Sequence, residues 1–268
     1  MPLGLVPVAM LLGSGALVGI MLGLIGGGGS ILAVPLLVYL VGVPSAHVAI
    51  GTAAVAVALN AASGLATHAR LGTVKWRCAM VFTAAGVAGA FAGAALGKRL
   101  EGAELLALFG VLMVGVGIYM LTVRPKASRQ DVRLTPESAA YLLPRLLLFG
   151  SGVGLLSGFF GIGGGFLIVP GLVLATGMAL QNAIGTSLFA VTAFGLATAT
   201  SYALSGFVDW RLAVLVIVGG IAGTLLGTRV NAHLAGHKGA LAGTFASVVI
   251  AVGLYIVASE LLKLMPVG

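Results

Sequence analysis

The sequence predicts an all-α polytopic membrane protein of two homologous repeats, each a glycine-broken helical hairpin followed by three transmembrane helices, with the copies in inverted topology. Three observations carry this. Of 268 residues, 60% are hydrophobic and only 7% charged, too little polar surface for a domain that must face water. Apolar runs long enough to cross a hydrocarbon core of ~30 Å, which takes about 20 helical residues, recur along the whole chain. The chain also aligns with itself: a shift of 135 residues lays Gly23 on Gly158, Gly26 on Gly161, Gly28 and Gly29 on Gly163 and Gly164, and Pro35 on Pro170. With the shift reduced by one, Gly51-Thr52 falls on Gly185-Thr186, the "KWR" at Lys75 on the "DWR" at Asp209, and Gly86, Gly89 and Gly93 on Gly220, Gly223 and Gly227. A unit of roughly half the chain has been duplicated.

The first apolar run, 3–24, has no basic stretch before it and aligns with the internal segment 142–154, so it reads as a mature membrane helix rather than a secretory signal. A shorter run, 30–42, follows the glycines. As one helix, residues 3–42 would be about 60 Å long at 1.5 Å per residue, twice one crossing. The chain is therefore expected to fold back near Gly26–Gly29, as a hairpin or a re-entrant loop. Spans follow at 47–68, 77–97 and 104–122. The one extended polar segment, Arg124 to Arg145, carries three prolines. It sets the expected boundaries: a first membrane repeat 1–123, a cytoplasmic linker 124–141 and a second membrane repeat 142–268. The second copy repeats the order with runs at 143–160, 165–177, 180–204, 211–228 and 239–262.

The net charge of +8 lies almost entirely in short loops, as in positive-inside membrane proteins. In the hairpin drawing Arg70, Lys75, Arg77, Arg124, Lys126, Arg129, Arg133, Arg145, Arg229 and Lys238 share one side. Lys98, Arg99, Arg211 and Lys263 take the other, which makes the first side cytoplasmic and puts both termini outside. A drawing in which each glycine segment only kinks one long crossing gives parallel repeats and the same split, with the termini inside. Charge does not choose between the two, and helix length favours the hairpin. A basic groove for nucleic acid would interleave with aromatics on a soluble face, and no such pattern occurs. The lone Cys78 allows no internal disulfide and no thiolate metal site.

In hydrocarbon, irregular backbone is tolerated only where protein buries it or it lines a water-filled cavity. Gly26, Gly27, Gly28 and Gly29, and in the second copy Gly161, Gly163, Gly164 and Gly165, therefore mark helices broken at depth. Such breaks present amide N–H groups, and the helix restarting at Ser30 or Gly165 points a partly positive N-terminus into the gap, where anions bind readily. Paired broken helices in two related halves are the usual sequence pointer to a transporter's site. Gly86, Gly89 and Gly93, by contrast, are spaced along one helix face and read as packing contacts.

The next polar groups, Thr52 and Asn60 in the first half and Thr186 and Ser187 in the second, complete the candidate substrate-binding set. Thr52, Asn60, Ser63 and Thr67 follow one helix face. Phe194, Ala197, Ser201 and Tyr202 stand where the first half has Asn60, Ser63, Thr67 and His68, so a shared site is chemically asymmetric. Ser63 and Thr67 could equally bond their own helix backbone, but the Asn60 amide needs several partners. His47 and His68 flank their span and read as interfacial residues. His233 and His237, without a carboxylate or Cys, are weak evidence for zinc. There is no H-E-x-x-H, G-x-S-x-G or Walker loop, and all six acids fall in loops or near span ends. No catalysis, cofactor or metal is expected.

Together these segments resemble the TauE/SafE family of sulfite-exporter-like membrane permeases. The resemblance is carried by the two glycine openings that end in "VP", Gly23 to Pro35 and Gly158 to Pro170. It is carried also by "AIGTA" at Ala49 and "AIGTS" at Ala183, and by the G-x-V-x-W-R turns at Gly72 and Gly206. It covers nearly the whole chain. The first copy has Ser30 where the second has Gly165, and Ala53 where the second has Ser187, so the half-sites are not identical. The resemblance implies a permease of small sulfur-containing oxyanions such as sulfite or organosulfonates in a bacterial plasma (inner) membrane. The expected partners are the lipid bilayer and a small anionic substrate, with no nucleic acid. A coupling proton or sodium ion, and a homodimer through the glycine-rich faces, are compatible with the sequence. Export by alternating access is the expectation. The rival readings are an importer of another small anion or a metal ion, and a non-transporting scaffold subunit.

Overall fold

A computed structural model describes residues 5–122, 136–161, 165–233 and 238–264. Gly163, Gly164, His237 and most of the expected linker lie outside them. Among the described residues the chain is all-helical, with eight helical segments long and apolar enough to cross a membrane. In order these are α1 (Leu5–Ile25), a 3-10 segment (Gly26–Leu32), α2 (Ala33–Pro35), a π turn (Leu36–Leu40), α3 (Ala46–Arg70), α4 (Trp76–Gly97) and α5 (Gly102–Thr122). The second half has α6 (Pro136–Phe160), α7 (Gly165–Thr176), α8 (Leu180–Leu204), α9 (Trp210–His233) and α10 (Lys238–Leu264). The ends match the apolar runs within a few residues except at α6. That helix begins inside the expected linker, at a proline whose missing N–H and fixed φ suit a first helical turn.

The expected fold-back after α1 is present. Gly26 turns the chain with φ +72°, and Gly29 packs on Met21 and Leu22 of α1. The returning arm ends beside its origin, since Pro7 lines one cavity together with Val41–Ser45. Every positive-φ residue among those described is a glycine, and the six form three pairs at the repeat spacing: Gly26 and Gly161, Gly42 and Gly177, Gly72 and Gly206. Each turns the chain where a Cβ would strain it. Ser45 caps α3 through Val48 N at 3.4 Å. Asp209 caps α9, its Oδ1 accepting from Arg211 N at 2.9 Å and Leu212 N at 3.2 Å.

Helix pairing crosses the two halves. α1 lies parallel to α9, with Gly15 on Val216, Gly19 on Gly220 and Gly23 on Thr224. α4 lies parallel to α6, with Gly86 on Gly150, Gly89 on Ser151 and Gly93 on Leu155. Contacts this close are possible only because no Cβ separates the backbones, which is the packing role the spaced glycines were expected to play. Two further pairs run antiparallel: α3 with α8 (Gly51 on Tyr202, Gly64 on Leu188) and α5 with α10 (Gly110 on Gly253, Gly117 on Ala246). α3 and α8 are the most buried spans. The outer helices turn residues such as Leu148, Val214 and Leu262 outward, an apolar surface suited to lipid.

Candidate functional site

The two glycine segments meet at the centre, backbone against backbone. A Cβ on Gly27 would stand 2.5 Å from Gly165 Cα, and a Cβ on Gly165 would collide with the Gly27 carbonyl. On either side the turns pack on opposite halves: Gly26 faces Ile184, and Gly161 faces Ile50. Gly27 N donates to Ser187 Oγ at 3.3 Å, and Ser187 Oγ donates to Ile184 O at 2.8 Å. Ser30 Oγ donates to Gly27 O at 2.9 Å. Gly28 lies against Ile25 and, more distantly, Phe245. Gly26, Gly27, Gly28, Gly29, Ser30 and Ser187 are all buried.

This differs from the gap the glycines suggested. The first segment continues as a tight 3-10 helix, whose i to i+3 bonds tie its amides internally, with Ser187 serving Gly27. The crossing is closed in this conformation. Two open clefts, of about 510 and 440 Å³, lie at the end of the bundle marked by Pro7, Asp209 and Arg211.

Thr52 and Thr186 are buried, and each holds a turn of the opposite half: Asp209 N donates to Thr52 Oγ1 at 3.0 Å, and Lys75 N donates to Thr186 Oγ1 at 3.0 Å. The G-T and G-x-V-x-W-R motifs are thus two sides of one contact, made twice. Ser63 Oγ bonds Asn60 O at 2.7 Å within its own helix, so the polar stripe on α3 reduces at its centre to Asn60. The Asn60 side chain is fully buried, and neither Nδ2 nor Oδ1 has a hydrogen-bond partner. It fills the space left by Gly220 on α9. In the other half Phe194 fills the space left by Gly86, so the sequence asymmetry becomes an amide in one half and a phenyl ring in the other. Gly64, one turn further along α3, faces Thr224 and Leu188, the residue after Ser187, so Asn60 lies one helical turn from the level of the glycine crossing.

Two features escaped the sequence reading. His68 lies in the last turn of α3, as expected, but is 4% exposed, covered by the α3–α4 turn. Glu260, near the end of its span, is 1% exposed and accepts a 2.7 Å bond from Tyr39 OH. That contact ties the π turn of the first hairpin to α10. An acid four residues from a helix end, beside a tyrosine more than 200 residues away, leaves no local trace in the sequence.

An all-helical bundle with buried glycine crossings and lipid-facing outer helices is a polytopic membrane transporter in form. The pattern of the family described as "Sulfite exporter TauE/SafE" matches residues 11–256. The chain belongs to the TauE/SafE family, whose members here carry the names of membrane transporters, not enzymes. It is 49% identical over 250 residues to a "Probable membrane transporter protein" of Xylella fastidiosa, covering 92% of this chain and 93% of that one. It is 29% identical over 213 residues to the "Probable membrane transporter protein YdhB" of Bacillus subtilis, covering 80% and 86%. A Haemophilus influenzae "Probable membrane transporter protein" is 30% identical over 199 residues, covering 72% of each chain. No solved structure matches the chain.

Proposed function

We propose that this transporter moves small sulfur-containing oxyanions, sulfite or organosulfonates, outward across a bacterial inner membrane by alternating access. In this reading residues 1–123 and 142–268 are inverted-topology repeats joined by a cytoplasmic linker, 124–141, and the substrate binds where their glycine segments cross. The observation that carries it is the meeting of Gly27 with Gly165. Two broken helices from related halves touch at one buried point, and a small relative movement there opens a path from either end. The antiparallel packing of the sequence counterparts α3 and α8, and of α5 and α10, supports inversion.

An anion that needs no buried counter-charge would be met by the backbone N–H groups and the Ser30 and Ser187 hydroxyls, which are bonded within the closed crossing and released when it opens, and by the unpartnered Asn60 amide. An inside-negative potential contributes about 2.3 kcal/mol per charge per 100 mV, roughly fifty-fold per charge, toward moving an anion out. The test is uptake of labelled sulfite into proteoliposomes at set membrane potentials, with sulfonate and sulfate as competitors. Saturable, voltage-sensitive flux that falls in Asn60→Leu is expected. Folded protein giving no flux above empty liposomes would overturn the reading.

A further inference from the structure

Thr73 Oγ1 lies 3.0 Å from His68 Nδ1 and 3.2 Å from His68 O. The threonine hydroxyl has one proton to give. If it donates to the carbonyl, the ring must donate from Nδ1, and both bonds form; in the other tautomer one of them is lost. The network therefore assigns the neutral ring its proton on Nδ1. Nε2 is left as a bare lone pair, buried and without a partner.

The turn that holds the ring packs against the segment of α8 that leads to the candidate site. Thr73 packs over Gly185, the next residue, Thr186, holds Lys75 N, and the residue after it, Ser187, takes the Gly27 N–H at the crossing. The charged groups that the elements packed against His68 bring to this end are cations; Glu137, in the first turn of α6, lies at the same end on a helix packed against α4. α3 brings Arg70, the turn and the start of α4 bring Lys75 and Arg77, and α9, which runs level with α3, brings Arg229 and ends in His233. α8 offers only Tyr202, at its far end. α5 has Tyr119 here and Glu104 at its other end. α1 has no ionisable residue, and the arm from Gly26 to Leu40 has only Tyr39, at its far end. An incoming anion is thus the counter-charge available to a protonated His68.

We propose that His68 Nε2 is the proton site that couples anion movement to protons in this transporter; the inference rests on the oxyanion reading above. When the Gly72 end opens, the Nε2 lone pair takes one proton from hydronium: an O–H bond breaks to leave water and an N–H bond forms, with the bound oxyanion beside it. When the opposite end opens, the N–H bond breaks, water on that side accepts the proton as hydronium, the anion leaves, and the lone pair returns to Nε2. Proton and anion move in the same direction. A dianion carried with one proton keeps a net negative charge on which the potential acts. The matching position in the second half holds Tyr202, buried and with its hydroxyl unpartnered. A phenol offers no comparable proton acceptor; the other buried, unpartnered imidazole nitrogen among the described residues, His47 Nε2, lies at the opposite end and serves as the control.

The test uses wild-type protein, His68→Gln, His68→Tyr (the residue its counterpart position holds) and His47→Gln in proteoliposomes. The probe is labelled methanesulfonate, which stays ionised and brings no proton of its own, with sulfite for comparison. At zero membrane potential a tenfold proton gradient should accumulate the anion up to about tenfold in wild type, the one-to-one limit, and in His47→Gln. The two His68 variants should pass anion downhill without accumulation. Accumulation retained in His68→Gln, or lost only in His47→Gln, overturns the proposal. Downhill flux in wild type without proton movement overturns it too and leaves the anion reading intact.

A second readout is independent of flux: nitrogen NMR of labelled histidine rings in liposomes, with the His68 signals identified by their absence in His68→Gln. A proton on Nδ1 in the neutral ring, with a protonated fraction that rises when anion is added, is expected. A proton on Nε2, or a ring that never protonates, overturns the assignment whichever anion is carried.

Discussion

Asn60 holds a primary amide near the middle of α3, in the most buried part of the bundle, with neither polar atom paired. A buried orphan group costs about 1–3 kcal/mol, and a leucine, bulkier but with the same branching, would remove two of them. Asn60→Leu is therefore expected to stabilise the fold by about 1–3 kcal/mol. Thermal melts read with a thiol dye that reaches Cys78, 1% exposed when folded, would measure this. If the amide contacts substrate, the same variant loses transport by about tenfold or more, equivalent to about 1.4 kcal/mol of lost contact; unchanged transport with higher stability would make Asn60 a packing residue. Thr52 and Thr186 lead to a different expectation. Each valine variant leaves one backbone N–H of a turn unpaired, a loss of about 1–3 kcal/mol, and because the two contacts lie at opposite ends of the bundle the double variant should show the sum. Asn60 was legible in the sequence because an amide inside a membrane span has few ordinary uses. The threonine positions were legible as a repeated motif, but their hydroxyls go to the backbone of the opposite half, a partner that no local pattern names. The burial of His68 was not legible for a related reason: it depends on what the next turn folds over the helix end.

Within one element, α6 shows two kinds of glycine. Gly158 presses on the backbone of Ala90 in α4, and Gly154 on Gly86, whereas Gly152, on the same helix, faces open space. Gly152→Ala should stabilise the protein by about 0.5–1 kcal/mol, through helix propensity and a less flexible unfolded chain. Gly158→Ala must push α4 and α6 apart, with a loss of about 1–3 kcal/mol or more. Opposite shifts of the melting midpoint would check the pair; equal shifts would mean that the close approach does not limit packing. The spans themselves were readable because a helix in lipid must be apolar for a fixed length, and apolar runs end where the chain meets water. The path through the glycines was less so. Contiguous glycines announce a break, but the choice between an open loop and a tight 3-10 turn rests on the opposing Gly165 and Ser187, which reach the site from the other half.

At the scale of the whole molecule, the direction of the helices supports the hairpin drawing over the kinked one, two drawings that charge could not separate. If each glycine segment merely kinked one crossing, α3 and α8 would run the same way, as would α5 and α10. Both pairs run antiparallel, and the first arm returns to Pro7. The fold-back therefore puts the α2–α3 and α8–α9 connections at one end, and the α3–α4 and α7–α8 connections at the other. Single cysteines at Pro44 and Leu204 should then react from one side of the membrane, and those at Leu71 and Leu180 from the other, each exposed in the fold. Cys78 is buried and gives little background. The basic residues of the α3–α4 turn fall with the Leu71 group, so an impermeant thiol reagent added outside intact cells is expected to label Pro44→Cys and Leu204→Cys alone. Labelling of Pro44→Cys without Leu204→Cys would restore the kinked single crossing and remove the inverted repeats. Labelling of the Leu71 pair alone would keep the fold and reverse its orientation, so that the membrane potential would favour anion entry rather than release.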